Sequence, residues 1–116
     1  MYKIIVTNSF SISMLPPTDK MGVLVEFRPI SAETVRSWCN QNNVDVVSAI
    51  GHADTARIVS GLLGVELPAN RISVKMTGME SLVVAQYSGS RLPEGATTLP
   101  EGAKVEFWEV SLAPWQ

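Results

Sequence analysis

The sequence predicts an α/β fold in a single domain spanning residues 1–116, and three observations carry that prediction. Apolar runs follow one another in the order strand, helix, strand, helix through the first half of the chain. The stretch Val44 to Gly64, VDVVSAIGHADTARIVSGLLG, passes from β-branched residues to helical spacing at the turn Gly51-His52. A length of 116 residues suits one hydrophobic core that buries roughly two thirds of the unfolded chain's surface.

Taken in order, Tyr2 to Thr7 reads as a first strand, with Ile4, Ile5 and Val6 forming the continuous apolar run of a strand covered on both faces. The segment Asn8 to Leu15, NSFSISML, interleaves short polar side chains with large apolar ones. Phe10, Ile12, Met14 and Leu15 can anchor a loop, which frees Asn8, Ser11 and Ser13 either to donate hydrogen bonds or to act as ordinary turn caps. Pro16 to Asp19 and Gly22 mark a turn, and Val23 to Phe27 reads as a second strand.

Ser31 has the character of an N-cap for a helix over Ala32 to Gln41, with Val35, Trp38 and Cys39 toward the core. The polar run Asn40 to Asn43 ends it. Val44, Val46 and Val47 then fit an inner strand. A second helix begins near His52 or Asp54, repeats Ile58, Val59, Leu62 and Leu63 along one side, and closes at Gly64 in a left-handed conformation. Beyond the connection Pro68 to Asn70, Ile72, Val74 and Met76 alternate with Ser73 and Lys75, the pattern of a half-buried strand. Thr77 to Glu80 reads as a hairpin turn into Leu82 to Gln86, so antiparallel pairing of these two segments is expected. Tyr87 to Ser90 reads as a flexible loop. The pentapeptide LPEGA occurs at Leu92 to Ala96 and again at Leu99 to Ala103, which suggests two similar Pro-Glu turns. Val105 to Leu112 is the last expected strand, and Trp108 and Trp115 suit core or dimer contacts.

Composition narrows the function classes. Hydrophobic residues make up 46% and charged residues 17%, a globular composition without the marks of disorder. A formal charge of −2 argues against binding long nucleic acid through a broad basic surface and leaves room for a focused anion site. Cys39, the single cysteine, excludes an internal disulfide, a thiolate metal cluster and a CxxC pair, and suits a buried inert thiol. One histidine and scattered carboxylates show no metal-ligand spacing, so neither a metal nor another cofactor is expected. No apolar run is long enough for a signal peptide or membrane span, which predicts a cytoplasmic protein with no membrane partner.

The place where chemistry concentrates is the helix start after Gly51-His52. Free backbone N–H groups and the positive end of the helix dipole suit an anion there, above all a phosphate, and Gly51 lets it approach the backbone. His52 is the only histidine in the protein. A lone histidine in a turn is also a common surface or capping residue, so this signal alone does not assign a function.

Separated pieces then converge on one pattern: NSFSISML, SAIGHADT at Ser48 to Thr55, Asn70-Arg71, Gln86, and RLPEG at Arg91 to Gly95. Each is weak alone, but together, in this order and at comparable spacing over nearly the whole chain, they closely resemble the type III anti-CRISPR ring nucleases of archaeal viruses and phages, a family with cellular homologues. The resemblance implies a central mixed sheet flanked by helices, a two-fold homodimer, and a cyclic tetra-adenylate ligand bound across the interface. It further implies linearisation of that ring without a metal, which switches off type III CRISPR signalling in the host cytoplasm. Residue by residue, it makes His52 catalytic and Glu94 its assistant, and gives Arg91 and Arg71 phosphates or bases to hold. Asn8, Ser11, Thr55 and Gln86 match polar positions that line the ligand, and Ser13 stands at a further one where asparagine is common.

The mechanism expected from these groups is attack by the ribose 2′-hydroxyl on its own adjacent phosphorus, with His52 protonating the leaving 5′-oxygen. Imidazole titrates near neutrality, and a ligand phosphate and the Glu94 carboxylate should favour its charged form more than the helix dipole opposes it. Asp54 departs from the family pattern, which often has serine there, and an aspartate beside a phosphate is repulsive unless it caps the helix or points away. An extra residue lies between Gln86 and Arg91, and the segment after Gly95 is too short for the helix often found there. Two other readings fit the same residues: a sponge that holds a cyclic oligonucleotide without cutting it, and a regulatory dimer that contacts a partner through Ala113-Pro114-Trp115.

Overall fold

The computed structural model describes residues 2–16 and 22–113. Its elements follow the order β1 (Tyr2–Thr7), a 3-10 turn (Ile12–Met14), β2 (Leu24–Ile30), α1 (Ala32–Cys39), β3 (Val44–Ala49), α2 (Ala53–Leu63), β4 (Ser81–Ser88) and β5 (Lys104–Ala113). The strands form one mixed sheet in the order β2-β5-β4-β1-β3. β1 is parallel to β3 on one side, with Ile4 opposite Val46, and parallel to β4 on the other, with Ile4 opposite Ser81. β5 then pairs antiparallel with both β4 and β2. Pro29, which cannot donate to a ladder, sits in the edge strand β2, where that loss is tolerated.

Alternation along the strands divides the core into two layers. Ile4 and Val6 of β1, Val83 and Ala85 of β4 and Phe107 of β5 meet the apolar sides of both helices, where Val35, Ala56, Val59 and Leu63 are buried. The opposite parity, Ile5, Leu82, Val84 and Val110, is covered by irregular chain carrying Phe10, Met14, Val74 and Met76. The central mixed sheet flanked by helices is therefore present, with both helices on one face. Cys39 is buried at the end of α1, and burial pushes its thiol pKa up, as an inert core thiol requires.

The helix boundaries follow from their caps. Ser31 accepts a hydrogen bond from the Thr34 N–H at 3.0 Å and starts α1, which ends at Cys39 rather than Gln41 because Asn40 turns out of helical geometry. α2 stops at Gly64, whose φ of 67° is the left-handed cap anticipated there, with its N–H bonded to Ser60. Gly61, inside α2, has open space where a Cβ would stand, with nothing within 4 Å beyond its chain neighbours and its own helix backbone. Gly61→Ala is expected to raise stability by about 0.5–1 kcal/mol by removing a helix-interior glycine, measurable as a rise in the denaturant midpoint at unchanged slope.

One strand assignment is corrected. Residues 72–76 form no strand, and no hairpin joins them to β4. The alternation was legible, since Val74 and Met76 are buried while Ile72 is 46% exposed. It serves to cover the second face of the sheet, where the Met76 N–H bonds the Met14 carbonyl at 2.7 Å. Antiparallel pairing with β4 is closed to this segment because β1 and β5 already occupy both edges of that strand. β4 also runs on through Tyr87 and Ser88, which pair with Val105 and Lys104, so the first half of the expected flexible loop is sheet. Most of the turn expected at Pro16 to Asp19, and the contact residues Pro114 and Trp115, lie outside the described residues.

The turn before β4 is held by Glu80. Burial pushes its carboxyl pKa up, but hydrogen bonds from the Thr77 hydroxyl and from the N–H groups of Thr77, Glu80 and Met79 outweigh that and bring it below the ordinary glutamate value. A carboxyl whose folded-state pKa is depressed stabilises the fold above its unfolded pKa, and that contribution disappears as pH falls through the folded value. Glu80→Gln is therefore expected to cost about 1 kcal/mol near pH 7, after allowance for its partial exposure, and to lose that effect in paired thermal melts as pH falls through the folded-state value of Glu80.

Candidate functional site

Because β1, β3 and β4 run parallel, their carboxyl ends open at the same end of the sheet, the usual place for a ligand crevice in such folds. Asn8 follows β1, Gly51 and His52 follow β3, and the segment leading to Arg91 and Glu94 follows β4. Buried hydrogen bonds fix these ends. The Thr7 hydroxyl contacts the Ala49 carbonyl, joining the tips of β1 and β3. Ser48 donates to the Pro68 carbonyl at 2.6 Å, and the Asn70 carboxamide returns to the Ser48 carbonyl at 2.7 Å. The connection after α2 is thereby clamped onto the end of β3.

His52 is the N-cap residue of α2. Its backbone is extended, its carbonyl accepts from the Ala56 N–H at 2.9 Å, and its exposed imidazole makes no capping hydrogen bond. Ser, Thr, Asp or Asn normally fills this position and satisfies an N–H of the first turn with its side chain. Here the ring stands free beside a helix start that still attracts negative charge.

A cleft of about 880 Å³ opens at this point, and its lining includes Asn8, His52, Thr55, Tyr87, Arg91 and Glu94. The structure thus brings together five of the residues singled out in the sequence. Tyr87 is an addition. Its hydroxyl donates to the Ser90 carbonyl at 2.5 Å and shapes the loop before Arg91. Period-two alternation from Val83 and Ala85 places Tyr87 on the helix side of β4, a signal hidden by reading Tyr87 as loop.

A shallower cleft of about 490 Å³ shares Asn8 and His52 with the first. Gly51 and Arg71 belong to this second space. The Arg71 Nε donates to the Gly51 carbonyl at 2.9 Å, and its Cγ would stand 3.1 Å from any Cβ added to Gly51. Arg71 and Arg91 therefore line different clefts that meet at Asn8 and His52.

Three expected ligand contacts are elsewhere in the chain. Ser11 and Ser13 are exposed and hydrogen-bond each other at the 3-10 turn. Gln86 has the opposite parity to Tyr87, and it lines a cleft of about 470 Å³ with Phe10, Phe27 and Trp108 on the second face of the sheet. Phe10 and Phe27 meet edge to face there, with ring centroids 5.4 Å apart.

Comparison with known proteins agrees with this architecture. The chain is similar in structure to B116 of Sulfolobus turreted icosahedral virus, with a TM-score of 0.74 and 28% sequence identity over 94% of this chain and 98% of that one. It is 39% identical over 71 residues to uncharacterized protein ORF117 of Acidianus two-tailed virus, a match covering 60% of this chain and 59% of that relative. Residues 4–108 match the family described as STIV B116-like, and with that match across the sheet, both helices and the cleft, the chain belongs to this family of viral proteins.

Proposed function

We propose that the protein is a metal-independent ring nuclease that binds cyclic tetra-adenylate and cuts it into linear products, thereby switching off type III CRISPR signalling. The observation that carries this reading is the convergence, in one cleft, of an uncapped His52 at a helix start with Arg91, Glu94, Asn8 and Thr55. The sequence resemblance that names these residues contributes the identity of the ligand. The viral relatives fit a role in countering host defence.

The reaction asks little of the protein beyond geometry and charge. The substrate's own 2′-hydroxyl attacks the neighbouring phosphorus and gives its proton to solvent water, the bond to the 5′-oxygen breaks, and a 2′,3′-cyclic phosphate and a 5′-hydroxyl result. Holding the three reacting atoms in line lowers the barrier by several kcal/mol, on the order of known proximity effects. Helix N–H groups and the Arg91 guanidinium stabilise charge on the phosphate oxygens. The His52 imidazolium supplies the proton that the 5′-oxygen takes as it leaves, and the Glu94 carboxylate in the same cleft offers a counter-charge.

A ring of four nucleotides has near two-fold symmetry, and one cleft of about 880 Å³ in each copy suits half of it. This supports a two-fold homodimer, each copy enclosing half of the ring. In that arrangement Arg71, Ser11, Ser13 and Gln86, which lie apart from the main cleft in one copy, belong to the rim that meets the ligand or the second copy. Cyclic tetra-adenylate incubated with the protein in a metal chelator, with products separated by chromatography, tests the reading. Linear di-adenylate ending in a 2′,3′-cyclic phosphate is the expected product, and an intact ring that co-elutes with the protein would leave a sponge instead.

A further inference from the structure

Asp54 resolves the conflict that its charge creates. It is one of the few polar residues buried in the described structure, at 9% exposure, and lies in the first turn of α2 on the wall of the main cleft. Its carboxylate reaches across to the turn Pro93 to Ala96, accepting the Gly95 N–H at 3.2 Å, and the same oxygen is ion-paired with Arg57 one turn along the helix. Arg57 in turn donates through Nε to the Ala96 carbonyl at 3.4 Å. Two side chains of α2 therefore grip the backbone of two consecutive residues, Gly95 and Ala96. The turn itself is closed by the Ala96 N–H on the Pro93 carbonyl at 3.1 Å, with Gly95 at a φ of 78°.

What that turn carries is the other half of the cleft. Glu94 is inside it and Arg91 just before it, and both are exposed, so their places relative to His52 follow from the backbone that holds them. Pairing with Arg57 offsets the Asp54 charge locally and reduces its repulsion of a phosphate at the helix start. From this geometry we infer that Asp54 and Arg57 are positioning residues: they latch the Arg91–Glu94 turn onto α2 and set the span between those side chains and His52. The kinetic part of this inference rests on the ring-nuclease reading, whereas the latch itself does not.

Two measurements separate the two. Amide hydrogen exchange by NMR reads the latch directly. In Asp54→Ala the Gly95 amide should exchange at least about tenfold faster, while Asp54→Asn, which keeps an acceptor oxygen, should retain most of the protection. Single-turnover cleavage of cyclic tetra-adenylate reads the consequence. Asp54→Ala should slow the chemical step about tenfold with little change in ring affinity, and the same change made in Arg91→Ala/Glu94→Ala should have almost no further effect, because the groups it positions are gone. Unchanged Gly95 protection, or an undiminished effect of Asp54→Ala in the Arg91→Ala/Glu94→Ala background, overturns the inference. A parent protein that leaves the ring uncut defeats the proposed function alone, and Gly95 exchange still decides the latch. Thermal melts of each variant identify any that fail to fold, and Asp54→Asn then provides the comparison.

Discussion

His52→Ala should leave cyclic tetra-adenylate bound but uncut. Removing a general acid costs roughly 10²- to 10⁴-fold in the chemical step, enough to take conversion below detection in an assay set to the parent rate. Binding should survive, because the phosphate contacts expected from the helix N–H groups and Arg91 remain, and the shortened side chain makes no capping hydrogen bond whose loss would unravel α2. The separation matters more than the loss. A variant that neither binds nor cuts would mean that His52 holds the ligand rather than protonating it, and a variant that cuts at the parent rate would remove His52 from the mechanism.

Gly89→Ala should damage fold and site together. Gly89 lies where the chain leaves β4, at a φ of 147° that side-chain-bearing residues rarely adopt. A Cβ built there would stand 2.8 Å from the Ala103 Cβ, 3.0 Å from the Ala103 Cα and 3.2 Å from the Tyr87 hydroxyl. The first two cannot swing away, because Ala103 adjoins the start of β5 and its N–H is held by the Pro100 carbonyl. Strain and overpacking of this kind cost about 2 kcal/mol, or a fall in Tm on the order of 8 °C for a domain of this size. The contact of the added methyl with Tyr87 also pushes on the hydroxyl that holds Ser90, so cleavage should fall further than stability alone explains. A Tm within a degree of the parent's would show that the backbone relaxes there without penalty.

How much of this was legible beforehand depends on whether the partner is local. The Ser31 cap, the left-handed Gly64, a start of α2 near His52 or Asp54 and the two LPEGA turns depend on residues a few positions apart, and all are where the sequence puts them. Pairing partners are not local. The alternation of residues 72–76 identified which side chains turn inward, but could not say that they would pack on a sheet whose central strand had no free edge. Parity had the same effect on the site. Gln86 and Tyr87 are neighbours in sequence and point to opposite faces, so the residue named from the resemblance lies among aromatic rings and its unnamed neighbour lines the cleft. The sequence marks Asp54 as repulsive to a phosphate unless it caps the helix or points away, but the Arg57 ion pair and the Gly95 N–H that hold it come from the folded structure.

The parallel pairing of β1 with β4 also sets when the cleft can exist during synthesis. Ile4 cannot find Ser81 until most of the chain has left the ribosome, and the segment bearing Arg91 and Glu94 follows later still. Contacts so distant along the chain close slowly, since their loop entropy is spent before they return any stabilisation. Until those residues are in place the cleft lacks the wall that carries Arg91 and Glu94. The delay between translation and a complete cleft then depends on the last strands to arrive.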